Sequence, residues 1–211
     1  RVDVLPPGGA GHRVTRLVLV VAHPDAGSFG HALAAATEAA ATAAGATVRR
    51  HDLYADGFDP RMPASEVGTT TFADALTARY AAEVLAADAL VVVHPVWFFQ
   101  VPAALKGWVD RVLREGVVYR LGGGGAVEGL LAARAALVLN TANSPLEVEE
   151  GLGDPLDVFW RRVVFGYGGV RDVRRLRFAK VADSTPAARA AWLEEARGAV
   201  TALVSDLRHG G

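Results

Sequence analysis

Three runs constrain this chain more than anything else in it: "LVLVV" (residues 17–21), "ALVVV" (89–93) and "AALVL" (135–139) contain no polar residue. A strand with one face in water alternates apolar and polar side chains. An unbroken β-branched run of this length is a strand covered on both faces. Each run is followed by a segment of helical pattern, so the chain reads as strands alternating with helices in an α/β domain. That is an open parallel sheet, doubly wound, with helices on both faces and right-handed crossovers.

The remaining elements follow from the same patterning. Ser28 is a fair N-cap, and the alanine-rich stretch after it runs to Ala44 and stops at Gly45. Residues 47–53 form a second strand, followed by a turn-rich segment "DLYADGFDP" and a helix over about 73–86. The helix over 103–114 carries Leu105, Trp108, Val109, Val112 and Leu113 on one face, with Lys106, Asp110 and Arg114 four apart on the other. A helix near 154–164 and a fifth strand within 170–181 come next. Thr185 and Pro186 then open a long last helix. The domain spans residues 16–211, and residues 1–15, with "PPGGAG", form a loose N-terminal arm.

Composition removes several function classes. The chain has 211 residues, 51% hydrophobic and 21% charged, with a net charge of −1. A domain of this size has a substantial core, and with no basic excess nucleic acid is not an expected partner. Cysteine is absent, which excludes thiolate chemistry and fits a reducing cytoplasm. No apolar run approaches the ~20 residues of a transmembrane helix. Residues 1–15 lack the apolar core of a signal peptide. No metal ligand set is assigned.

Ligands of open α/β sheets bind beyond the carboxyl ends of the strands, where the strand order reverses. Three loops leave such ends. "HPDAGSFG" (23–30) leads into a helix start, where free N–H groups favour an anion, with His23 and Ser28 as further donors. "HPVWFFQVP" (94–102) places Trp97, Phe98 and Phe99 in one turn between Pro95 and Pro102. Three rings there offer a platform for a flat aromatic ligand. "NTANSP" (140–145) is small and polar and can bring backbone donors to a ring edge. Taken singly, each has a plainer reading: a helix cap, ordinary core residues, and a turn before Pro145.

"HPVWFFQVPAALKGWVDRVL" is similar to the segment that marks the NAD(P)H:quinone oxidoreductase family of the flavodoxin-like fold. "AHPDAGSFGHAL" resembles that family's phosphate-binding loop, and "HDLYADGFDP" its segment after the second strand. The likeness extends over residues 16–207. It implies a flavodoxin-like sheet of five parallel strands in the order 2-1-3-4-5, a homodimer, and a bound flavin, FAD first with FMN as the alternative. It also implies ping-pong hydride transfer from NADH or NADPH to a small quinone-like acceptor. Carried over by position, His23, Ser28, Phe29 and Gly30 match the flavin phosphate loop. Pro95, Val96, Phe98 and Phe99 match the residues along the isoalloxazine, with Trp97 beside them in the binding turn but its ring turned away. Asn140, Thr141, Ala142 and Asn143 match the polar edge, Asp110 an acidic helix position near the cofactor, and Tyr119 a residue of the partner's substrate pocket.

The chain also departs from the family pattern. Residues 144–156 lack the tyrosine and histidine thought to assist hydride transfer, Leu121 stands where a second pocket tyrosine is expected, and the edge glycines are Ala142 and Asn143. The residues present no obvious obligatory acid or base. Two other functions therefore stand beside the first: a flavin reductase for azo, nitro or other small acceptors, and a flavin-bound regulatory or accessory subunit of a transporter.

Overall fold

The structure, a computed structural model, describes residues 14–209. The loose-arm expectation therefore lies outside the described residues except for Val14 and Thr15, and Thr15 is buried, its carbonyl accepting a hydrogen bond from Thr47 N at 2.8 Å.

Five parallel strands form the sheet: β1 (Arg16–Val21), β2 (Thr47–Asp52), β3 (Ala89–Pro95), β6 (Ala135–Thr141) and β7 (Asp172–Phe178), in the order β2-β1-β3-β6-β7. This is the expected order once a small antiparallel hairpin, β4 (Tyr119–Leu121) with β5 (Val127–Gly129), is set aside. The strand period of two divides the apolar runs between two cores. Leu17, Leu19, Val21, Val91, Val93, Leu137 and Leu139 pack with α1 (Phe29–Ala43) and α7 (Pro186–His209) on one face. Val18, Val20, Leu90, Val92, Ala136 and Val138 pack on the other with α2 (Ala75–Ala86), α3 (Ala103–Val112) and the segment 156–173. Strands β3 and β6 are buried at every position, which is why both runs carry no alternation.

The helix caps are those the sequence indicates. Ser28 Oγ accepts from His31 N at 3.3 Å, and Thr185 Oγ1 from Ala188 N at 3.1 Å. The helix expected over 73–86 begins at Ala75 because Asp74 caps it, Oδ1 accepting from Thr77 N at 2.8 Å. Lys106 does pair with Asp110, at 2.6 Å, but Arg114 turns to the buried Glu66 and lies beyond the end of α3.

The larger differences lie elsewhere. The helix expected over 154–164 is preceded by α4 (Leu146–Gly151) and consists of α5 (Pro155–Asp157), a π-helical stretch Val158–Val164 and α6 (Phe165–Gly168). The glycine-rich segment after α3 is the β4–β5 hairpin, which docks through Gly129: a Cβ there would stand 2.4 Å from the carbonyl carbon of Gly168. The segment 59–74 is pinned to α3 by Arg111, whose side chain is 2% exposed and donates to Glu66, Asp74 and the Asp59 carbonyl. The same approach requires glycine at 107, where a Cβ would meet Pro60 at 2.3 Å. Among the described residues no helix is long and apolar enough to cross a membrane.

Candidate active site

Strand order reverses between β1 and β3, and a cavity of about 520 Å³ opens at their carboxyl ends. Its walls are the three loops that follow β1, β3 and β6, together with Val181, Ala182 and Arg189 from the last loop and α7. His23, Ser28, Phe29, Gly30, Pro95, Val96, Trp97, Phe98, Phe99, Thr141, Ala142 and Asn143 all line it.

Asn140 does not. It is 1% exposed and lies beneath the floor, where Oδ1 accepts from Arg175 Nε and Nδ2 donates to His94 Nε2 at 2.7 Å. Its side chain alternates to the inner side of β6, so it supports the polar loop without reaching the cavity. His94, also buried, accepts a second hydrogen bond from Trp160 Nε1 at 3.0 Å and donates from Nδ1 to Pro95 O at 2.8 Å. These bonds fix the tautomer. Burial, with Arg175 adding to it, pushes the His94 pKa down to about 4. The neutral ring thus anchors the first residue of the ligand-facing turn.

That turn is unusual. Trp97 and Gln100 exchange backbone hydrogen bonds at 3.0 Å each, closing a two-residue loop in which Phe98 and Phe99 have φ of 50° and 59°. Two consecutive bulky residues in the left-handed region are strained, and such strain collects at binding sites. Phe98 is 97% exposed, so its ring does nothing for the core. Among the described residues, the amides of Phe98 and Phe99 have no hydrogen-bond acceptor. Trp97, expected to turn away, lines the cavity with a ring 6.2 Å from that of His23.

At the other end, Ser28 stands at the start of α1, and the amides of Phe29 and Gly30 are likewise without an acceptor among the described residues. His23 is neutralised further than usual, chiefly by burial, and its Nδ1 accepts from Asp25 N at 3.1 Å. The polar loop is braced against the last loop: Ala142 N donates to Phe178 O at 2.9 Å, Val181 N to Ala142 O at 3.0 Å, and Ala182 N to Asn143 Oδ1 at 3.1 Å. A flat apolar wall, free amides beside it and a far end with two acceptor-free amides at a helix start suit a planar heterocycle with an anionic tail.

Tyr119 and Asp110 are not brought to this cavity. They line a second one of about 260 Å³ with Val109, Phe159, Val163 and Tyr167, where the Tyr119 and Tyr167 rings meet edge-on at 5.3 Å. Val181, Ala182 and Arg189 are wall residues outside the three loops that sequence reading missed, and Asp25 and Ser144 are ones it left unnamed within them; Arg189 is the charged one on α7. On a long amphipathic helix its charge looks like any solvated position, and only its closeness to the cap residue Thr185 could have raised the question.

The sequence matches the family described as flavodoxin-like fold over residues 15–203. The chain belongs to this family. An FMN-dependent NADH:quinone oxidoreductase of Ralstonia nicotianae is 31% identical over 151 residues, 72% of this chain and 68% of that protein. The solved structure of the NAD(P)H:quinone oxidoreductase from Methanothermobacter marburgensis superposes with a TM-score of 0.78 at 25% identity, over 90% of this chain and 100% of that one. An FMN-dependent NADH-azoreductase from Bacillus anthracis, solved with FMN, shares the fold at 19% identity with a TM-score of 0.70, over 93% of this chain and all of that one. As in other open sheets of this family, the cavity lies at the switch point of the strand order.

Proposed function

We propose that this chain is an FMN-dependent oxidoreductase that takes hydride from NADH or NADPH and delivers it to a quinone-like acceptor. The observation that carries the reading is the cavity itself, with a flat aromatic wall and free amides at one end and an anion-binding end at the other. FMN replaces FAD as the expected cofactor. The relatives whose names specify a flavin specify FMN, and a single anion-binding end matches a monophosphate.

FMN, when bound, supplies the hydride-carrying ring, and the chain supplies its environment. The Pro95–Phe99 wall covers the ring's apolar face. The acceptor-free Phe98 and Phe99 amides would be donors available to negative charge on a reduced ring. Ser28 and the Phe29 and Gly30 amides would hold the phosphate. The nicotinamide and the acceptor would take turns in the same strand-end cavity, in a ping-pong order. Azo compounds are the second acceptor class, favoured by the azoreductase among the similar structures. A second copy of the chain covers the cavity around Tyr119, where Leu121, Val163 and Tyr167 are 54%, 46% and 40% exposed. The homodimer acts in the cytoplasm.

Steady-state oxidation of NADH and NADPH with a simple benzoquinone tests this reading. The expected result is parallel double-reciprocal lines; a protein that binds FMN without turnover would instead be an accessory subunit. The strained turn gives a separate test. Phe98→Gly releases left-handed strain and removes no core packing, so it is expected to raise stability by about 1 kcal/mol. It also removes a ring from the flavin wall, so FMN affinity is expected to fall by roughly 1–3 kcal/mol. Thermal melts and FMN titrations on the same variant check both signs.

A further inference from the structure

We propose that Arg175, which does not line the cavity, is a positioning residue: through Asn140 and His94 it holds the aromatic turn in its strained, ligand-facing form. Three neighbouring strands each send one of these side chains to the same face of the sheet. His94 on β3 stands opposite Asn140 on β6, and Arg175 on β7 stands opposite Val138, two residues before Asn140. His94 and Asn140 are buried, and the Arg175 side chain is 5% exposed. Each nitrogen of its guanidinium serves a different residue: Nε donates to Asn140 Oδ1, Nη1 to Asp154 Oδ1 and Nη2 to Glu149 Oε1 at 3.2 Å. With its oxygen held in this way, the Asn140 amide presents Nδ2 to His94 Nε2, and the His94 ring presents Nδ1–H to the Pro95 carbonyl. Trp160 Nε1 donates to the same Nε2, so the direction of the ring depends on the two donors together.

The Pro95 carbonyl belongs to the peptide that opens the aromatic turn. The N–H of the same peptide, on Val96, donates to Thr141 O at 2.7 Å. The peptide is therefore clamped at both ends, by the His94 ring and by the strand that leads into the polar loop. A few residues on, Phe98 and Phe99 hold φ of 50° and 59°. Bulky residues persist in the left-handed region only where their surroundings over-determine the backbone. Phe98 is almost fully exposed, so its ring supplies none of that restraint. The backbone has to supply it, and the clamp is where the turn joins the sheet. Arg175 anchors the far end of the clamp to Glu149 and Asp154, in the segment that follows the polar loop. The inference deepens the FMN reading above, and only the second arm of its test depends on that reading.

The test compares the wild-type protein, Arg175→Lys, Phe98→Gly and the double variant. Lysine keeps a cation but brings one nitrogen to three acceptors. Arg177 still pairs with Glu149 at 3.6 Å and Asp154 at 3.4 Å, so the acids are not left alone. Asn140→Ala cuts the relay in its middle while Arg175 stays on its acids, and gives the same pattern. The first arm is amide hydrogen exchange in the ligand-free protein, read at Trp97 and Gln100, whose N–H groups close the turn. Arg175→Lys speeds exchange there by roughly 10-fold more than at Val92 and Leu137 in the sheet. Phe98→Gly removes the strain, so adding it to Arg175→Lys restores the protection. The second arm is FMN titration. Arg175→Lys weakens FMN binding by roughly 5–20-fold in the wild-type background and has no effect in the Phe98→Gly background. Equal loss of protection in turn and sheet, or equal loss of FMN affinity in both backgrounds, would mean that Arg175 only stabilises the fold, and would overturn the inference. Unchanged protection at Trp97 and Gln100 would overturn it as well. A wild-type protein that binds no FMN but shows the expected exchange pattern would sink the FMN reading and leave the relay standing.

Discussion

Acidification from pH 7 to pH 4 is expected to remove several kcal/mol of folding stability, through two buried histidines on the carboxyl side of the sheet. Burial pushes both His51 and His94 down to about 4. In His51 it outweighs a 2.8 Å contact with Glu83 that favours the charged form. In the unfolded chain both titrate near 6.5. Their stabilisation is therefore complete above pH 6.5 and is lost as pH falls towards 4, because the unfolded state takes up protons that the folded state refuses. Each histidine accounts for on the order of 3 kcal/mol over that window, with a slope of up to about 1.4 kcal/mol per pH unit. The geometry gives the reason for His94: a proton on Nε2 would face the Trp160 and Asn140 donors. Urea unfolding at a series of pH values measures the slope, and His94→Gln should lower it by one proton's worth. A flat profile between pH 7 and pH 4.5 would show that neither ring is held neutral.

The second large effect is expected from Glu66→Ala. Glu66 is 1% exposed and accepts from Arg111 Nε at 3.1 Å and Nη2 at 2.6 Å, from Arg114 Nη1 at 3.3 Å and from Ala73 N at 2.8 Å. Arg111 holds its carboxyl below the usual carboxylate range. Removing it leaves the buried Arg111 with only Asp74 as a charged partner, and breaking a buried pair in this way costs about 3–5 kcal/mol. The double variant Glu66→Leu with Arg111→Met should recover part of that loss, because the desolvation of those two charges disappears together, while Arg114 still loses its carboxylate partner. Chemical denaturation of the two proteins checks this. If Glu66→Ala is as stable as the parent, the 59–74 segment does not depend on the pair.

These two sites also show what could be read from the sequence. Strands β1, β3 and β6 were legible because burial on both faces leaves an unbroken apolar run. Ser28 and Thr185 were legible because a cap acts within three residues. Glu66 and Arg111 were not: they lie 45 residues apart, and nothing local marks either as buried. The β4–β5 hairpin was hidden because Gly122, Gly123, Gly124 and Gly125 look like a flexible link, while the Gly129 contact with Gly168 depends on tertiary packing. The helix expected over 154–164 starts at Pro155, capped by Asp154, whose Oδ1 accepts from Asp157 N at 3.1 Å, and its π-helical middle and continuation to Gly168 depend on tertiary packing that leaves no local mark. In the candidate site the loops were legible from composition and strand-end logic. The inward turn of Asn140 and the reach of Arg189 were not, since the first follows from strand register and the second from how α7 crosses α1.

The central claim is that the three loops and α7 together hold one FMN. Titrating the purified, reconstituted protein with FMN while following the visible absorbance and fluorescence of the flavin tests it most directly. The account predicts saturation at one FMN per chain, with Phe98→Gly weakening the binding. Absence of saturable binding by either FMN or FAD would contradict it.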